Sequence, residues 1–309
     1  MTDWSVIYEA AAVVSNKPRS QREHGTPSEN RQVSVDHYEN FPVASVLCPP
    51  ALRPAVMAIY HFARTADDIA DEGDASAAAR LSDLAAYRGE LLASLAGSPA
   101  GPRWPQVFGP LAAQVRRHAL PAGPLHALLD AFEQDAGNPL YADRAQLLDY
   151  CARSANPVGR LLLHLYGVND AASLRRSDAI CTALQLINFW QDLSVDLPRG
   201  RVYLPLVDLR AFGLDPVGIQ RCIDSEASSR LVRDLCDWAA GLMREGAPLA
   251  LRLPGRAGWE LRLVVQGGLR IIEKIRAMNC ASLGHRPAIR AGDAPRLLWR
   301  ALRMGTTTR

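Results

Sequence analysis

Apolar residues recur at three- and four-residue spacing along the chain after Pro49, a pattern typical of amphipathic α-helices. No convincing run of alternating apolar and polar residues indicates β-strands. Segments rich in Pro and Gly, such as AGSPAGPRWP and LPRGR, separate the helical stretches. The pattern therefore predicts an all-α protein, with helices near 52–72, 76–96, 106–118, 123–136, 144–166, 177–197, 227–250, 256–280 and 293–303.

The beginning of the chain differs from the remainder. Residues 1–35 are polar, with Pro, Gly and charge but no apolar period, so we expect a mobile N-terminal tail. No shift in composition and no internal repeat divides the chain after residue 35. We therefore predict a single helical bundle over 36–285 and a basic C-terminal helix or tail over 286–309.

Composition narrows the functional class. The chain has 309 residues, 48% hydrophobic and 22% charged, which are ordinary globular values. Its 35 basic and 32 acidic residues give a net charge of +3, too little for a surface that tracks nucleic acid. No CxxC motif and no apolar run near the ~20 residues of a membrane span occur. We expect a cytoplasmic protein, with a peripheral position on the inner membrane face left open.

Positive charge is concentrated at the C-terminal end. Between Arg252 and Arg309, twelve Lys and Arg face only Glu260, Glu273 and Asp293, so this segment is +9 and the rest of the chain is −6. The segment ends in the amphipathic sequence PRLLWRALR. Such a stretch is compatible with contact to an anionic membrane surface or with a solvated helix face whose arginines form ion pairs.

One face of the predicted helix 52–72 carries an unusual set of side chains. At about 100° per residue, a phenol, a guanidinium and two or three carboxylates fall on one stripe. Like charges at i,i+4 cost roughly 0.2–0.5 kcal/mol even when exposed, unless cations compensate. The stripe consists of Tyr60, Arg64, Asp67 and Asp71, with Asp68 at its edge.

The predicted helix 177–197 carries a second polar line, which begins after a cap at Ser177 or Asp178 and ends before Pro198. Its neighbours along the helix are strongly apolar, so the line is not expected to be only a wet face. The line consists of Gln185, Asn188, Asp192 and Asp196.

Each DxxxD pattern alone is more often a solvated face paired with arginine. Two helices that both offer carboxylates at i,i+4 are instead suited to a hard divalent cation. Mg²⁺ is typically held by one or two carboxylates together with substrate phosphate oxygens. We therefore expect the two helices to face each other across Mg²⁺ and a diphosphate, with Arg64 or Arg201 neutralising the leaving group.

Three motifs resemble the two aspartate-rich motifs and the following loop of the squalene/phytoene synthase family. They are DDIAD at 67–71, NFWQDLSVD at 188–196 and RGRVYLP at 199–205.

The resemblance runs from about His37 to at least residue 280, and the RGRxYLP loop is its most specific part. Two further stretches, VDHYENFPVASVL at 35–47 and YCARSANPVGRLLLHL at 150–165, are similar to the hopanoid-pathway branch, the hydroxysqualene synthase or HpnC type.

The resemblance implies a prenyl-synthase fold with a central cavity, apolar for the isoprenoid and acidic at its mouth. It implies that both motifs supply Mg²⁺ ligands, and that Pro157 and Gly159 kink or break the long helix where it lines the cavity. The implied metal ligands are Asp67, Asp68, Asp71, Asn188, Asp192 and Asp196. The implied catalytic residues are Asp67, Asp71, Asp192, Asp196 and Tyr203. The implied substrate-binding residues are Tyr38, Asn40, Phe41, Tyr60, Arg64, Asn156, Gln185, Asn188 and Arg201.

Two positions depart from the family pattern, and both lose a positive charge. Many members have a basic residue in an HSKSF-like start, where this chain has Glu39, and many have Arg in the second motif, where this chain has Gln191. A pocket for two farnesyl diphosphates must balance two diphosphates, so the loss favours a substrate with one. We expect Mg²⁺-assisted ionisation of presqualene diphosphate, rearrangement of the cation and capture by water to give hydroxysqualene.

This expected reaction is that of a carbon–oxygen lyase acting on phosphates in squalene and hopanoid biosynthesis. NADPH is not expected, because water capture needs no reductant, and the substrate would come from a presqualene diphosphate synthase. Tyr38, Asn156 and Tyr203 are candidates for guiding the water. One open alternative is a prenyltransferase that condenses farnesyl diphosphate to presqualene diphosphate, squalene or phytoene; another is a non-catalytic helical protein that binds lipid or a partner.

Overall fold

The computed structural model describes residues 48–304, and these residues contain helices and no β-strand. The all-α prediction is confirmed. The α-helices of this region, numbered in chain order, are α1 Arg53–Asp71, α2 Ala77–Leu95, α3 Pro105–His118, α4 Ala122–Asp135, α5 Arg144–Ser154, α6 Asn156–Leu165, α7 Ala171–Gln191, α8 Leu193–Asp196, α9 Leu206–Ala211, α10 Pro216–Ile219, α11 Glu226–Gly246, α12 Leu249–Arg252, α13 Gly255–Ala277 and α14 Ala294–Arg303.

The long helix predicted over 144–166 is two helices, α5 and α6, which meet at Ala155. Pro157 lies in the first turn of α6, where it has no N–H to donate and its ring would clash with the carbonyl of Arg153 in a continuous helix. The expected break is present, and it places Asn156 at the start of α6.

Helix α7 begins six residues earlier than predicted. The Asp170 side chain accepts a hydrogen bond from the backbone N–H of Ser173 at 3.0 Å and so caps the first turn. The proposed caps Ser177 and Asp178 are therefore wrong, because both lie inside the helix. The early start was missed because the first turns of α7 carry few apolar side chains. The short helices α8, α9 and α10 were not predicted as separate elements either.

Two groups of buried apolar side chains form the core of the described region. The first comes mainly from α1 to α4, where the rings of Phe62 and Tyr87 stack at 5.5 Å between centroids. The second is built around α7, which packs against α6, α11 and α13. Every residue from Thr182 to Gln191 is buried, so the C-terminal half of α7 has no wet face. The polar line on this helix is consequently an interior feature.

None of the helices in residues 48–304 is both long enough and apolar enough to cross a membrane.

Candidate active site

The acidic stripe of α1 is organised around Arg64. Its guanidinium lies 3.1 Å from the Asp67 carboxylate, 2.6 Å from Asp68 and 2.8 Å from Glu72. Asp67 itself is buried. Tyr60 lies one turn earlier on the same stripe, with its ring edge-to-face to His61. The side chains predicted to share one face of this helix therefore do so, and Arg64 supplies the compensating cation.

The polar line of α7 and α8 is buried along its whole length. Asn188 donates a hydrogen bond through Nδ2 to Asp192 at 3.1 Å. Asn188 Oδ1 and Gln185 Nε2 are buried without a hydrogen-bond partner. A buried polar atom without a hydrogen-bond partner costs free energy, so both atoms are candidate contacts for a bound ligand. Asp196 completes the line and is also buried.

Arg201 joins the two acidic motifs. It follows the turn at Gly200, whose φ of +74° favours glycine, and its guanidinium binds both carboxylate oxygens of Asp71, one of them at 2.8 Å. The Arg201 backbone N–H donates to the Asp196 carbonyl at 3.0 Å. One residue thus ties the end of α1 to the end of α8, so the two motifs border the same site.

A second arginine reaches the site from the far end of the sequence. Arg286 forms an ion pair with Asp192, and its neighbour Pro287 accepts a hydrogen bond from the Gln191 Nε2 amide at 2.7 Å. Because Gln191 is neutral, the second motif was expected to lack a positive charge. Arg286 supplies one, so this part of the charge prediction is wrong. Nothing in the local spacing could have revealed a contact across 94 residues.

An aromatic group that includes the predicted catalytic residue Tyr203 lies beside the acidic residues. The Tyr203 ring stacks on Phe189 with 3.8 Å between centroids and an angle of 8°, and Tyr150 lies 6.3 Å from Tyr203. The Tyr150 hydroxyl donates to the Asp135 carboxylate at 2.9 Å. Asp135 and Tyr150 were missed at the level of sequence, because the residue three positions before each is apolar and neither belongs to a polar stripe that repeats along its helix.

Burial and mutual repulsion disfavour the charged form of several carboxylates. Burial raises the pKa of Asp67 to about 7, and the charges of Asp71 and Asp68 add to the rise. Burial likewise raises the pKa of Asp135 to about 7 and that of Asp196 to about 6. For Asp71 the desolvation would also raise the pKa, but the hydrogen bonds from Arg201 bring it below its usual value. The carboxylates of the site carry more negative charge than its arginines neutralise.

The donor set fits a cation that shares its ligands with a substrate. Among residues 48–304, no group of three or more His, Cys, Asp or Glu side chains is arranged to hold a metal ion by itself. The unpartnered Asn188 oxygen, together with the buried carboxylates of Asp192 and Asp196, offers hard oxygen ligands on one edge. Such an open set suits Mg²⁺, which keeps coordination positions for water and phosphate oxygens.

An apolar cavity of about 160 Å³ lies between helices that include the two carrying the polar stripes. Val56 lines it from α1, Leu162 from α6, Leu184 from α7 and Val264 from α13. Val56 lies on the same helical face as the α1 carboxylates, and Leu184 lies eight residues, about 12 Å along the axis, before Asp192. Both helices therefore run from an apolar wall to an acidic end, which suits an elongated amphiphilic ligand.

The remaining predicted site residues fall in two groups. Asn156 is buried between α6 and α7, where its Oδ1 accepts a hydrogen bond from Thr182 Oγ1 at 3.0 Å. Tyr38, Asn40 and Phe41 lie outside the described residues.

The fold is shared with known isoprenoid synthases. The crystal structure of squalene synthase HpnC from Alicyclobacillus acidocaldarius superimposes with a TM-score of 0.73 at 36% sequence identity, over 81% of this chain and 92% of that one. A dehydrosqualene synthase structure at 21% identity superimposes with a TM-score of 0.70, which supports the fold alone. Fold and site together define an all-helical protein of the isoprenoid-synthase class.

Sequence comparison identifies the family. The family model described as Squalene/phytoene synthase matches residues 35–293. The hydroxysqualene synthase of Rhodopseudomonas palustris is 34% identical over 82% of this chain and 84% of that protein. The presqualene diphosphate synthase of Zymomonas mobilis is 32% identical over 75% of this chain and 77% of that protein. The chain belongs to the squalene/phytoene synthase family.

Proposed function

We propose that the protein converts presqualene diphosphate and water into hydroxysqualene and diphosphate. The observation that carries this proposal is that Arg201 joins the two acidic motifs, and that α1 and α7, the helices that lead into these motifs, line an apolar cavity. Similarity to hydroxysqualene synthases over most of the chain favours this step within the family.

The diphosphate would bind at the acidic end. Asp67, Asp68 and Asp71 from α1, and Asn188, Asp192 and Asp196 from the second motif, would hold Mg²⁺. Bound Mg²⁺ would supply positive charge that stabilises the departing diphosphate.

The arginines at this end would share the work of charge balance. Three arginines form ion pairs with carboxylates of the motifs: Arg64 with Asp67, Arg201 with Asp71 and Arg286 with Asp192. Held in place by these ion pairs, they would neutralise the leaving group without reorganising as its charge grows.

The apolar wall would hold the isoprenoid chain and exclude bulk water while the carbon–oxygen bond breaks. The cation would rearrange inside this enclosure and end by bonding to a water oxygen, which loses a proton to give the alcohol. Asn156, fixed by Thr182 at the break between α5 and α6, is one candidate for guiding that water. Tyr203 and Tyr38 are the other two.

A second candidate function is condensation of two farnesyl diphosphates. Arg286 favours it, because this residue restores a positive charge at the second motif. Presqualene diphosphate synthases and phytoene synthases are also among the similar proteins, at 30–32% identity.

Product analysis separates these functions. The purified protein with Mg²⁺ is supplied with presqualene diphosphate or with farnesyl diphosphate, each with and without NADPH, and the products are identified by mass spectrometry. We expect hydroxysqualene from presqualene diphosphate only, and no effect of NADPH. Efficient release of diphosphate from farnesyl diphosphate alone would contradict the proposal, as would diversion to squalene by NADPH.

Variants of the motifs test whether the protein is an enzyme at all. Asp67→Ala and Asp192→Ala should fold yet lose activity by about 100-fold or more, since each removes a charged group from the diphosphate end. Asp83→Ala, which removes the surface partner of Arg103, is the control and should keep full activity. Unchanged activity in all three variants would mean that the acidic stripes are not a catalytic site.

A further inference from the structure

The C-terminal helix α14 has two apolar faces rather than one. Leu297 and Ala301 are buried where the helix packs against α13. Leu298, Trp299 and Leu302 point away from that contact and are 40%, 55% and 57% exposed. Three large apolar side chains exposed within five residues are unusual on a soluble surface and mark an interaction site. We call these three residues the outer face of α14.

Basic side chains border the outer face. The Arg303 guanidinium lies over the Trp299 ring at 4.7 Å from its centroid. On the helical wheel, Arg296, Arg300 and Arg303 follow the exposed apolar side chains on one side.

The carboxylates nearby are too few to balance this charge. Glu273 alone is shared by Arg270, Arg296 and Arg300, while Asp293 pairs with Arg270 and Lys274. The surface of α14 and the adjoining part of α13 therefore has an excess of positive charge. The basic residues are Arg270, Lys274, Arg296, Arg300 and Arg303.

We propose that the outer face of α14 docks onto the surface of an anionic lipid bilayer. Leucine and tryptophan side chains on one side of a helix, flanked by arginines, are the features of helices that lie in a membrane interface. The apolar side chains would enter the boundary between headgroups and acyl chains, and the arginines would meet lipid phosphates.

The charge of the surface favours lipid over a second copy of the chain. A two-fold dimer through this face would set one basic patch against the same basic patch, which is repulsive. A bilayer containing acidic lipid offers the opposite charge together with an apolar interior. This inference does not depend on which isoprenoid diphosphate the protein acts on.

Vesicle binding tests the proposal. The full chain is mixed with phosphatidylcholine vesicles that contain or lack phosphatidylglycerol, and the bound fraction is measured by co-sedimentation. We expect binding only to the phosphatidylglycerol vesicles, weakened as salt screens the arginines. The double variant Trp299→Ser/Leu302→Ser should bind at least about tenfold more weakly, because the inserted apolar area is lost.

A matched control removes exposed apolar side chains elsewhere. Val217 and Ile223 are 70% and 71% exposed and lie near the acidic residues Asp215 and Asp224 in the sequence. Val217→Ser/Ile223→Ser should bind vesicles like the wild type. Equal losses in the two double variants, or strong binding of the wild type to neutral vesicles, would overturn the proposal.

Two further readouts separate this inference from other occupants and from the proposed reaction. Both double variants should keep the wild-type circular dichroism spectrum and the same turnover of detergent-dispersed substrate. If sedimentation instead shows a dimer that Trp299→Ser/Leu302→Ser dissociates, and vesicles are not bound, the face belongs to a second copy and the lipid proposal fails. If the wild-type protein does not turn over presqualene diphosphate, the proposed function is refuted, and the vesicle-binding result still stands.

Discussion

The neutral side chain of Gln191 helps to position the positive charge of Arg286 at the second acidic motif. Its amide is buried and holds the Pro287 carbonyl at 2.7 Å, beside the Arg286 that pairs with Asp192. The second acidic motif thus receives its cation through a tether to a distant loop.

We predict that Gln191→Ala lowers the free energy of unfolding by about 1–3 kcal/mol, because it leaves a buried carbonyl without its donor. Denaturant titration measures the loss. Gln220→Ala removes an exposed glutamine and should change stability by less than about 0.5 kcal/mol. Equal stability of the two variants would mean that the Gln191 tether contributes nothing.

Asp135 should make the stability of the metal-free protein depend on pH. Burial raises its folded-state pKa to about 7 from a usual value of 3.8. The folded state then binds the proton more tightly than the unfolded state, so the contribution of Asp135 to stability is full below about pH 4 and is lost as the pH rises to about 7. Asp135→Asn should therefore gain stability relative to the wild type across this window.

Urea titrations of the Asp135→Asn variant and the wild type, at several pH values between about 4 and 8, check this expectation. The conservative amide can still accept the hydrogen bond from Tyr150. A constant offset between Asp135→Asn and the wild type across this range would show that Asp135 does not titrate there in the folded protein.

Residues that repeat along one helix were predictable, and single residues brought from elsewhere were not. Asp67 and Asp71 share a face because the 3.6-residue period is local. Arg286 could not be placed, because it reaches its partner across 94 residues through a loop without periodicity. Asp135 was missed for a related reason. The groups that act on its carboxylate are the Tyr150 hydroxyl and the charge of Asp71 at the end of α1, and neither belongs to the helix of Asp135.

At the scale of helices, a boundary was predictable where a single residue marked it unambiguously. Pro157 marks the break between α5 and α6 because its ring excludes a continuous helix. The start of α7 was misplaced, since Asp170 is one of several residues in that stretch able to cap a helix. The burial of the C-terminal half of α7 on all sides follows from its packing against the surrounding helices, and only the structure establishes that its polar line is interior.

The contact between α7 and α11 is close enough to require a glycine. A Cβ atom added to Gly246 would lie 2.6 Å from the Arg176 carbonyl oxygen and 2.5 Å from Ile180 Cγ1. Because one of these atoms belongs to the backbone of α7, the helices would have to separate. We predict that Gly246→Ala destabilises the protein by about 3 kcal/mol, at the upper end of the usual cost of overpacking.

Gly241 in the same helix provides the control, because a Cβ atom there would meet nothing within 4 Å. Gly241→Ala should stabilise by up to about 1 kcal/mol, since alanine loses less backbone entropy in a helix. Thermal unfolding of both variants gives the comparison. Similar melting temperatures would imply that α7 and α11 are less tightly packed than the structure indicates.

At the scale of the whole molecule, the site spans the two parts of the core. Asp71 ends α1, whose apolar face belongs to the first group of buried residues, while Asp192 and Arg201 belong to the elements around the second. A ligand bound at this junction contacts both parts, so its binding free energy should oppose unfolding of the entire chain rather than of one helix.

We therefore predict that Mg²⁺ and inorganic diphosphate together raise the melting temperature by more than the sum of their separate effects. At about 100 times the dissociation constant, the ligand would add about 2.7 kcal/mol to the free energy of unfolding. The gain should disappear in Asp192→Asn and persist in Asp83→Asn, whose carboxylate lies at the surface beside Arg103. Differential scanning fluorimetry of the three proteins, with sulfate replacing diphosphate as a further control, measures each gain against that protein's own ligand-free value. An undiminished gain in Asp192→Asn would place the anion elsewhere and would contradict the proposal that metal and diphosphate bind together between α1 and α8.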